Sequence, residues 1–195
     1  MLIPKKVEQR FGRAFGKLRP ILQEARNRDV NEADTVTLVK AILSDAFGWN
    51  PFFDVTSEYA IRNTWVDLAV KVDNQIALLI EVKAIGSDLK ENHLRQAVNY
   101  AANQGVEWVA LTNACVWQAH RVSFGKPVDH ELVFQLDLLN DSPRDRRVKE
   151  MAYLLSKEGM TKAAISRFHA ERQALSKFNI GAILRSEPVL MLVRR

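Results

Sequence analysis

The segment WVDLAVKVDNQIALLIEVK, residues 65–83, decides the fold expected of this chain. Its first half alternates apolar and polar residues, which is typical of a half-buried β-strand. Asp, Asn and Gln at 73–75 are a turn signal, and the apolar run at 76–80 is typical of a central strand. The segment therefore predicts an antiparallel hairpin whose second strand lies deep in the core.

Two carboxylates meet across this predicted hairpin. With a three-residue loop at 73–75, counting outward from the turn places Asp67 opposite Glu81. Directly opposed residues have Cβ atoms about 4.5–5.5 Å apart on one face of a sheet. Two such carboxylates repel each other unless a proton or a cation lies between them. A two-residue loop would instead place Asp67 opposite Ile80, on the wrong face, and would abolish the pair.

Lys83 follows Glu81 by two residues, so both side chains share one face at the carboxyl end of the strand. The plain alternative is a strand-end pair that reaches water. A second acidic-x-Lys triplet at 88–90 lies in the first turn of a predicted helix, where the helix dipole explains its Asp. Only the first triplet faces another carboxylate, and hard divalent cations favour carboxylate oxygens. Asp67, Glu81 and Lys83 are therefore the candidate site.

Outward from the hairpin, periodicity and capping residues predict further helices and strands. The order predicts the α/β (α+β) class, with a central mixed sheet flanked by helices. We expect an N-terminal helix at 1–30, a core domain at 31–140 and a C-terminal helical extension at 141–195. The elements are a helical stripe at 7–22, a helix capped by Asn31, a strand at 54–61, a helix at 88–103 between Ser87 and Gly105, strands at 108–112, 116–122 and 132–138, and helices after residue 141 with Pro143 at a first helical position and Gly159 as a stop.

Composition excludes several classes of protein. Apolar residues make up 47% and charged residues 26%, an ordinary globular balance. No apolar run approaches the roughly 18 residues of a membrane span, and the charged N-terminus has no signal-peptide apolar region. The single cysteine, Cys115, excludes an intramolecular disulfide framework and a cysteine-rich zinc site. We expect a cytoplasmic protein with no membrane partner.

Charge is distributed unevenly along the chain. The formal net charge is +5 overall, with +5 in residues 1–30, −6 in residues 31–140 and +6 in residues 141–195. The basic ends predict salt-dependent contact with nucleic-acid phosphates. The acidic centre contains the candidate carboxylates, whose repulsion toward a polyanion a bound cation would reduce.

The hairpin and its surroundings resemble the PD-(D/E)xK nuclease superfamily. More narrowly, residues 31–122, a little under half of the chain, are similar to the N-terminal nuclease domain of type I restriction enzyme R subunits. Val66 stands where the family usually has proline. The matching elements are Glu32 with Thr35, Phe47-Gly48-Trp49, Val66-Asp67, Ile80-Glu81-Val82-Lys83, Gln96 with Tyr100, Leu111-Thr112-Asn113 and Trp117.

This resemblance implies a restriction-endonuclease-like αβββαβ core and Mg²⁺-dependent hydrolysis of DNA phosphodiester bonds, with Mn²⁺ able to substitute. It implies that Asp67 and Glu81 bind the metal ion, helped by the main-chain oxygen of Val82. Glu32 is implied as an outer ligand. Metal ions lower the pKa of a bound water and offset charge on phosphate, which agrees with that chemistry.

The resemblance also implies roles for three further side chains. Lys83 would orient or activate the attacking water and stabilise charge on the phosphate. Gln96 and Tyr100, one helical turn apart, would pack beside the site near the DNA backbone. R subunits continue into a helicase motor, but the segment at 12–18 is one residue too short for a phosphate loop and lacks its Ser/Thr. No ATP site is predicted.

Two other functions stay open on sequence grounds. One is a non-catalytic module of the same fold that binds DNA or docks other subunits. The other is an RNA-directed or repair nuclease that uses the same site. The predicted partners are DNA and restriction–modification subunits, and the sequence does not decide between a monomer and a homo-oligomer.

Overall fold

The computed structural model describes residues 1–61, 64–176, 180, 181, 184, 185 and 187, with the backbone alone for residues 58–61, 64 and 65. Parts of the predicted C-terminal extension, at 177–179, 182–183, 186 and 188–195, lie outside the described residues. The elements are α1 (Lys5–Asn27), α2 (Glu32–Asp45), β1 (Val55–Ile61), β2 (Thr64–Val72), β3 (Gln75–Val82), a 3₁₀ turn (Glu91–Leu94), α3 (Arg95–Gln104), β4 (Trp108–Thr112), β5 (Val116–Ser123), β6 (Asp129–Asp137), α4 (Arg146–Leu155), α5 (Lys157–Thr161) and α6 (Ala164–Ala174).

The six strands form one sheet in the order β1-β2-β3-β4-β5-β6. β3 and β4 are parallel, and the other neighbouring pairs are antiparallel. The parallel pair follows from the crossover through α3, which returns the chain to the other end of the sheet. The predicted class, a mixed sheet flanked by helices, is confirmed.

Helices cover both faces of the sheet. One hydrophobic cluster joins Ile80 of β3 to Phe11 of α1 and Leu154 of α4, and it also takes in α2, α5 and α6. The other cluster joins Leu79 of β3 to Ala97 of α3. The described parts of the N-terminal helix and the C-terminal extension therefore share one core with the sheet. None of the described helices has both the length and the apolar character needed to cross a bilayer.

The β2–β3 hairpin turns in two residues, so the three-residue loop predicted at 73–75 is wrong. Asp73 and Asn74 have φ of 49° and 66°, and Val72 pairs with Gln75. Positive φ at both central residues is the backbone of a type I′ turn, which Asp and Asn tolerate better than other non-glycine residues. The right-handed twist of the two strands favours this tighter turn.

A β-bulge beside the turn restores the predicted register. The shift occurs at Val70–Lys71, after which Leu68 pairs with Ile80. Continuing that register by one residue places Asp67 opposite Glu81, as predicted. The bulge adds the one residue that the shorter turn removes, and every side chain beyond it returns to its expected face.

Helix α3 begins later than predicted. Ser87 does not cap a helix at 88–103, because a 3₁₀ turn intervenes and α3 begins at Arg95. The Ser87 carbonyl instead accepts a hydrogen bond from Asn113 Nδ2 at 3.0 Å, which holds the segment after β3 against the end of β4. Gly105 ends the helix as predicted, with φ of 68°.

Two residues of the C-terminal segment act differently from their predicted roles. Asp145, rather than Pro143, precedes the first turn of α4, and its side chain accepts a hydrogen bond from Arg147 N–H at 2.8 Å. Gly159 lies inside α5 instead of ending a helix, and a Cβ there would overlap the carbonyl of Tyr153. The glycine is required by close backbone packing.

Arg10 joins α1 to the ends of α2 and α5. Its guanidinium donates to the carbonyls of Ala46 and Phe47, both at 3.1 Å, and to both oxygens of Glu158 at 2.7 Å. Gly48 has φ of 78°, and a Cβ there would overlap this guanidinium. The hydrogen bond from Arg10 lowers the pKa of the Glu158 carboxyl, against a smaller opposing effect of burial.

Arg10→Met is expected to lower the free energy of unfolding by about 2–3 kcal/mol, since it leaves partly buried acceptors without their donor. The matched control is Arg28→Met, which removes an exposed pair with Glu24 and is expected to cost less than about 0.5 kcal/mol. Urea denaturation at pH 7 measures both. Equal losses in the two variants would contradict this role.

The same pair predicts a pH dependence. A lowered folded-state pKa means that the Arg10–Glu158 contribution is present above the ordinary carboxyl pKa of 4.5 and is lost as the pH falls below it. The stability difference between wild type and Arg10→Met is therefore expected to shrink between pH 6 and pH 3. Urea titrations across that range check it.

Candidate active site

Four charged side chains meet at the carboxyl end of β3. Lys83 Nζ lies 2.8 Å from Glu81 Oε1 and 3.5 Å from Glu32 Oε2. Asp67 Oδ2 accepts a hydrogen bond from the Val82 N–H at 2.6 Å. This cluster of Glu32, Asp67, Glu81 and Lys83 contains the four side chains predicted to act directly on metal or phosphate.

The sheet brings the strand residues together. β3 is a central strand, with β2 on one side and β4 on the other, and Glu81 pairs with Leu111 of β4. Lys83 follows the strand and donates its backbone N–H to Thr112 O at 2.8 Å. Glu81 is 8% exposed as a result, so its carboxylate emerges where a buried strand ends.

Glu32 reaches the cluster from a different layer. It is the first residue of α2, and the helix starts there because Asn31 caps it by accepting a hydrogen bond from Asp34 N–H at 2.9 Å. The buried face of α2, including Thr35, packs on the sheet and fixes where this end of the helix lies. The side chain of Glu32 thus comes within ion-pair distance of Lys83.

Charges in the cluster are imbalanced, with three carboxylates around one ammonium. Burial raises the pKa of Glu81; its hydrogen bond to Lys83 opposes this, and repulsion from Asp67 and Glu32 adds to it. Burial lowers the pKa of Lys83, but the hydrogen bond to Glu81 and the surrounding carboxylates outweigh burial and raise it. Such an arrangement is costly for folding alone and is typical of a functional site.

Gln96 and Tyr100 lie in different environments, although both belong to α3. Tyr100 is buried in the cluster that joins α3 to Leu79, on the face of the sheet to which Glu81 also points. Gln96 is exposed. Tyr100 thus lies in the core between α3 and the sheet, whereas Gln96 lies on the solvent-exposed side of the same helix.

Asn113 has a positioning role that the sequence did not predict. Its Nδ2 donates to the Ser87 carbonyl at 3.0 Å, and its Oδ1 accepts from Val116 N–H at 2.8 Å. It therefore ties the segment after Lys83 to the turn between β4 and β5. The sequence does place a polar amide directly after an apolar strand, which indicates a hydrogen-bonding role for Asn113. The partner, Ser87, could not be predicted because it lies 26 residues away in sequence.

The donor set matches a hard divalent cation in chemical type, because its side-chain donors are all carboxylate oxygens. Asp67 and Glu81 approach from neighbouring strands, and Glu32 of α2 lies 3.5 Å from the Lys83 ammonium. Within the described residues, no group of three or more Asp, Glu, His or Cys side chains could hold a metal ion. The ammonium of Lys83 lies between Glu81 and Glu32 and serves as their counter-ion in this arrangement.

Cys115 lies outside this chemistry. It is 1% exposed, and burial raises the pKa of its thiol to about 11. A thiol in that state is a small apolar core residue rather than a nucleophile.

Comparisons with protein-family models, with curated proteins and with solved structures found no match to this chain.

Proposed function

We propose that this protein is a Mg²⁺-dependent endonuclease that hydrolyses DNA phosphodiester bonds, of the restriction type. The observation that carries the proposal is the meeting of Asp67, Glu81 and Glu32 around Lys83 at the end of a central strand. The element order α2-β1-β2-β3-α3-β4 supports a restriction-endonuclease-like αβββαβ core. The excess of negative charge is what a divalent cation between carboxylates would offset.

Asp67 and Glu81 would hold the metal ion, with the main-chain oxygen of Val82 as a further donor and Glu32 as an outer ligand. When bound, Mg²⁺ would polarise a phosphate oxygen and lower the pKa of a water molecule. The hydrogen bond from Val82 N–H holds the Asp67 carboxylate against β3. Rigid placement of that kind is what a metal ligand needs.

Lys83 supplies the positive charge at the site. It lies beside Glu81 at 2.8 Å and is partly exposed, so its ammonium can turn from Glu81 toward a bound phosphate. A fixed cation next to the scissile phosphate stabilises the charge that develops on its oxygens. Tyr100 of α3 helps to fix the position of β3, because it packs in the same hydrophobic cluster as Leu79 of that strand.

The test is cleavage of a long duplex DNA by the full chain in 5–10 mM Mg²⁺, an ordinary range for such assays, with Asp67→Asn as the comparison. Wild type is expected to cut, and Asp67→Asn to lose activity by about 1,000-fold or more while its thermal midpoint and DNA affinity stay near wild type. EDTA is expected to stop the reaction. Equal cleavage by both proteins would overturn the assignment.

Substrate comparison separates the neighbouring hypotheses. A structured RNA of equal length is expected to be cut more slowly than duplex DNA, and preferential cleavage of RNA would contradict the DNA assignment. A Mn²⁺ titration addresses the non-catalytic module: DNA binding without Mn²⁺ binding or cleavage would favour it over a nuclease.

A further inference from the structure

A row of basic side chains runs along α1 on the surface of the protein. Lys6, Arg10, Arg13 and Lys17 follow one another at intervals of four, three and four residues, so they share one face of the helix. They line a groove of about 430 Å³, together with Asp45, the last residue of α2. We call Lys6, Arg13 and Lys17 the α1 basic row, because Arg10 is engaged in the fold.

The members of the row differ in how well they are neutralised. Lys17 pairs with Asp45 at 2.9 Å, and its side chain is still 68% exposed. Lys6 and Arg13 are exposed, and neither has an ion pair within 4 Å among the described residues, although Lys6 is near enough to Glu158 to help lower the pKa of that carboxyl. The α1 basic row therefore presents a net positive charge to solvent, in a segment that carries +5 over residues 1–30.

The shape of the row selects an extended anion over a small one. From Lys6 to Lys17 the helix rises about 16 Å, so these cations lie in a line and do not converge on one point.

The row is also placed usefully relative to the carboxylate cluster. α2 has 14 residues, with Glu32 in the cluster at one end and Asp45 in the groove at the other. Its two ends are about 20 Å apart, which is about six base pairs of B-form DNA. One duplex lying along α2 would reach both the groove and the cluster.

We propose that the α1 basic row is a docking surface for the phosphate backbone of duplex DNA, about 20 Å from the carboxylate cluster. The identity of the polyanion rests on the proposed function, whereas the surface itself rests on the charges and spacing of α1. Its contacts are to phosphate alone, so it contributes affinity and orientation without sequence preference.

The test is the salt dependence of binding to a fluorescein-labelled 30-base-pair duplex, followed by anisotropy in EDTA so that no cleavage occurs. The triple variant Lys6→Gln, Arg13→Gln, Lys17→Gln is expected to reduce the slope of log affinity against log salt by about 2.7, and to weaken binding at 0.1 M salt by about two orders of magnitude. The matched control is Arg144→Gln, Arg147→Gln, Lys162→Gln, which removes three exposed charges from the other basic end of the chain. Because the proposal assigns the phosphate contacts to α1, and not equally to both basic ends, this control is expected to change the slope by less than about 1.

Equal slopes for the wild type and the α1 triple variant would overturn the proposal, as would equal changes in both triple variants. The same titration with an RNA duplex of equal length is the comparison. If the α1 triple variant lost affinity for the RNA duplex and kept its affinity for the DNA duplex, the proposal would also be wrong. Thermal midpoints of the three proteins verify that folding is unchanged. Binding is measured without metal, so the two proposals can fail separately. If the triple variant changes the slope but wild type cleaves no DNA, the docking surface is supported and the nuclease proposal is wrong. If wild type cleaves DNA but the slope is unchanged, the nuclease is supported and the docking surface is wrong.

Discussion

Lys83→Met is expected to slow Mg²⁺-dependent DNA cleavage by about 100- to 1,000-fold, the usual cost of removing one fixed charge that stabilises a transition state. The ammonium lies 2.8 Å from Glu81 and is the cation that the cluster itself supplies. Without it, nothing from the cluster would offset charge on the phosphate except the bound metal ion. Single-turnover cleavage of a labelled duplex measures the effect.

The same variant is expected to bind Mn²⁺ more tightly than wild type, by a factor of about 3 to 10. Lys83 is the internal counter-ion of Glu81 and Glu32, so its removal leaves three carboxylates without compensation. Isothermal titration with Mn²⁺ measures this. A nuclease that loses activity while gaining metal affinity has lost a catalytic group, whereas a merely damaged site would lose both.

Lys126→Met serves as the control, because Lys126 is exposed on the loop between β5 and β6. Its cleavage rate and its Mn²⁺ affinity are expected to stay within about twofold of wild type. Cleavage by Lys83→Met within threefold of wild type would remove Lys83 from the mechanism.

Glu81→Gln is expected to abolish cleavage and at the same time to raise the free energy of unfolding by about 0.5–1 kcal/mol in metal-free buffer. Glu81 is 8% exposed as a residue, and the charges of Asp67 and Glu32 repel its carboxylate. A neutral amide of nearly the same shape removes that repulsion and can still accept a hydrogen bond from Lys83. Urea denaturation in EDTA and a cleavage assay check the two effects.

Glu158→Gln is the matched control for stability. Glu158 is also an acidic residue in a hydrogen-bonded pair, but its pKa is lowered by Arg10, so losing its charge is expected to destabilise the protein. In 10 mM Mg²⁺, a routine excess, wild type is expected to have the higher free energy of unfolding of the two proteins, since only wild type gains the free energy of Mg²⁺ binding. Destabilisation of Glu81→Gln in EDTA would indicate a structural role for the carboxylate.

Much of the architecture followed from local patterns. The bounds of β4 at 108–112 were predicted to the residue, since an apolar run between turn signals marks a buried strand. Asn31 caps α2 as predicted, because a side-chain acceptor at that position satisfies a free N–H of the first turn.

Local patterns failed where long-range packing decided the backbone. The predicted loop length at 73–75 was wrong, and a bulge at Val70–Lys71 compensated for it. The twist of the sheet and the pairing with both neighbouring strands determine such a bulge. The alternation of apolar and polar residues within one hairpin predicts neither of them. Ser87 was likewise a plausible cap by composition, but its carbonyl is bound by Asn113 from another part of the chain.

The sequence by itself determined the two strands and placed Glu81 and Lys83 on one face at the end of the second, because alternation and turn residues act over a few positions. The facing of Asp67 and Glu81 also required the bulge at Val70–Lys71, which long-range packing determines. Only the tertiary structure decided that Glu32 of α2 lies within ion-pair distance of Lys83, and that the basic row of α1 ends up alongside α2. Those placements depend on how whole helices pack on the sheet. Packing is the sum of many contacts between residues distant in sequence, and no local period records it.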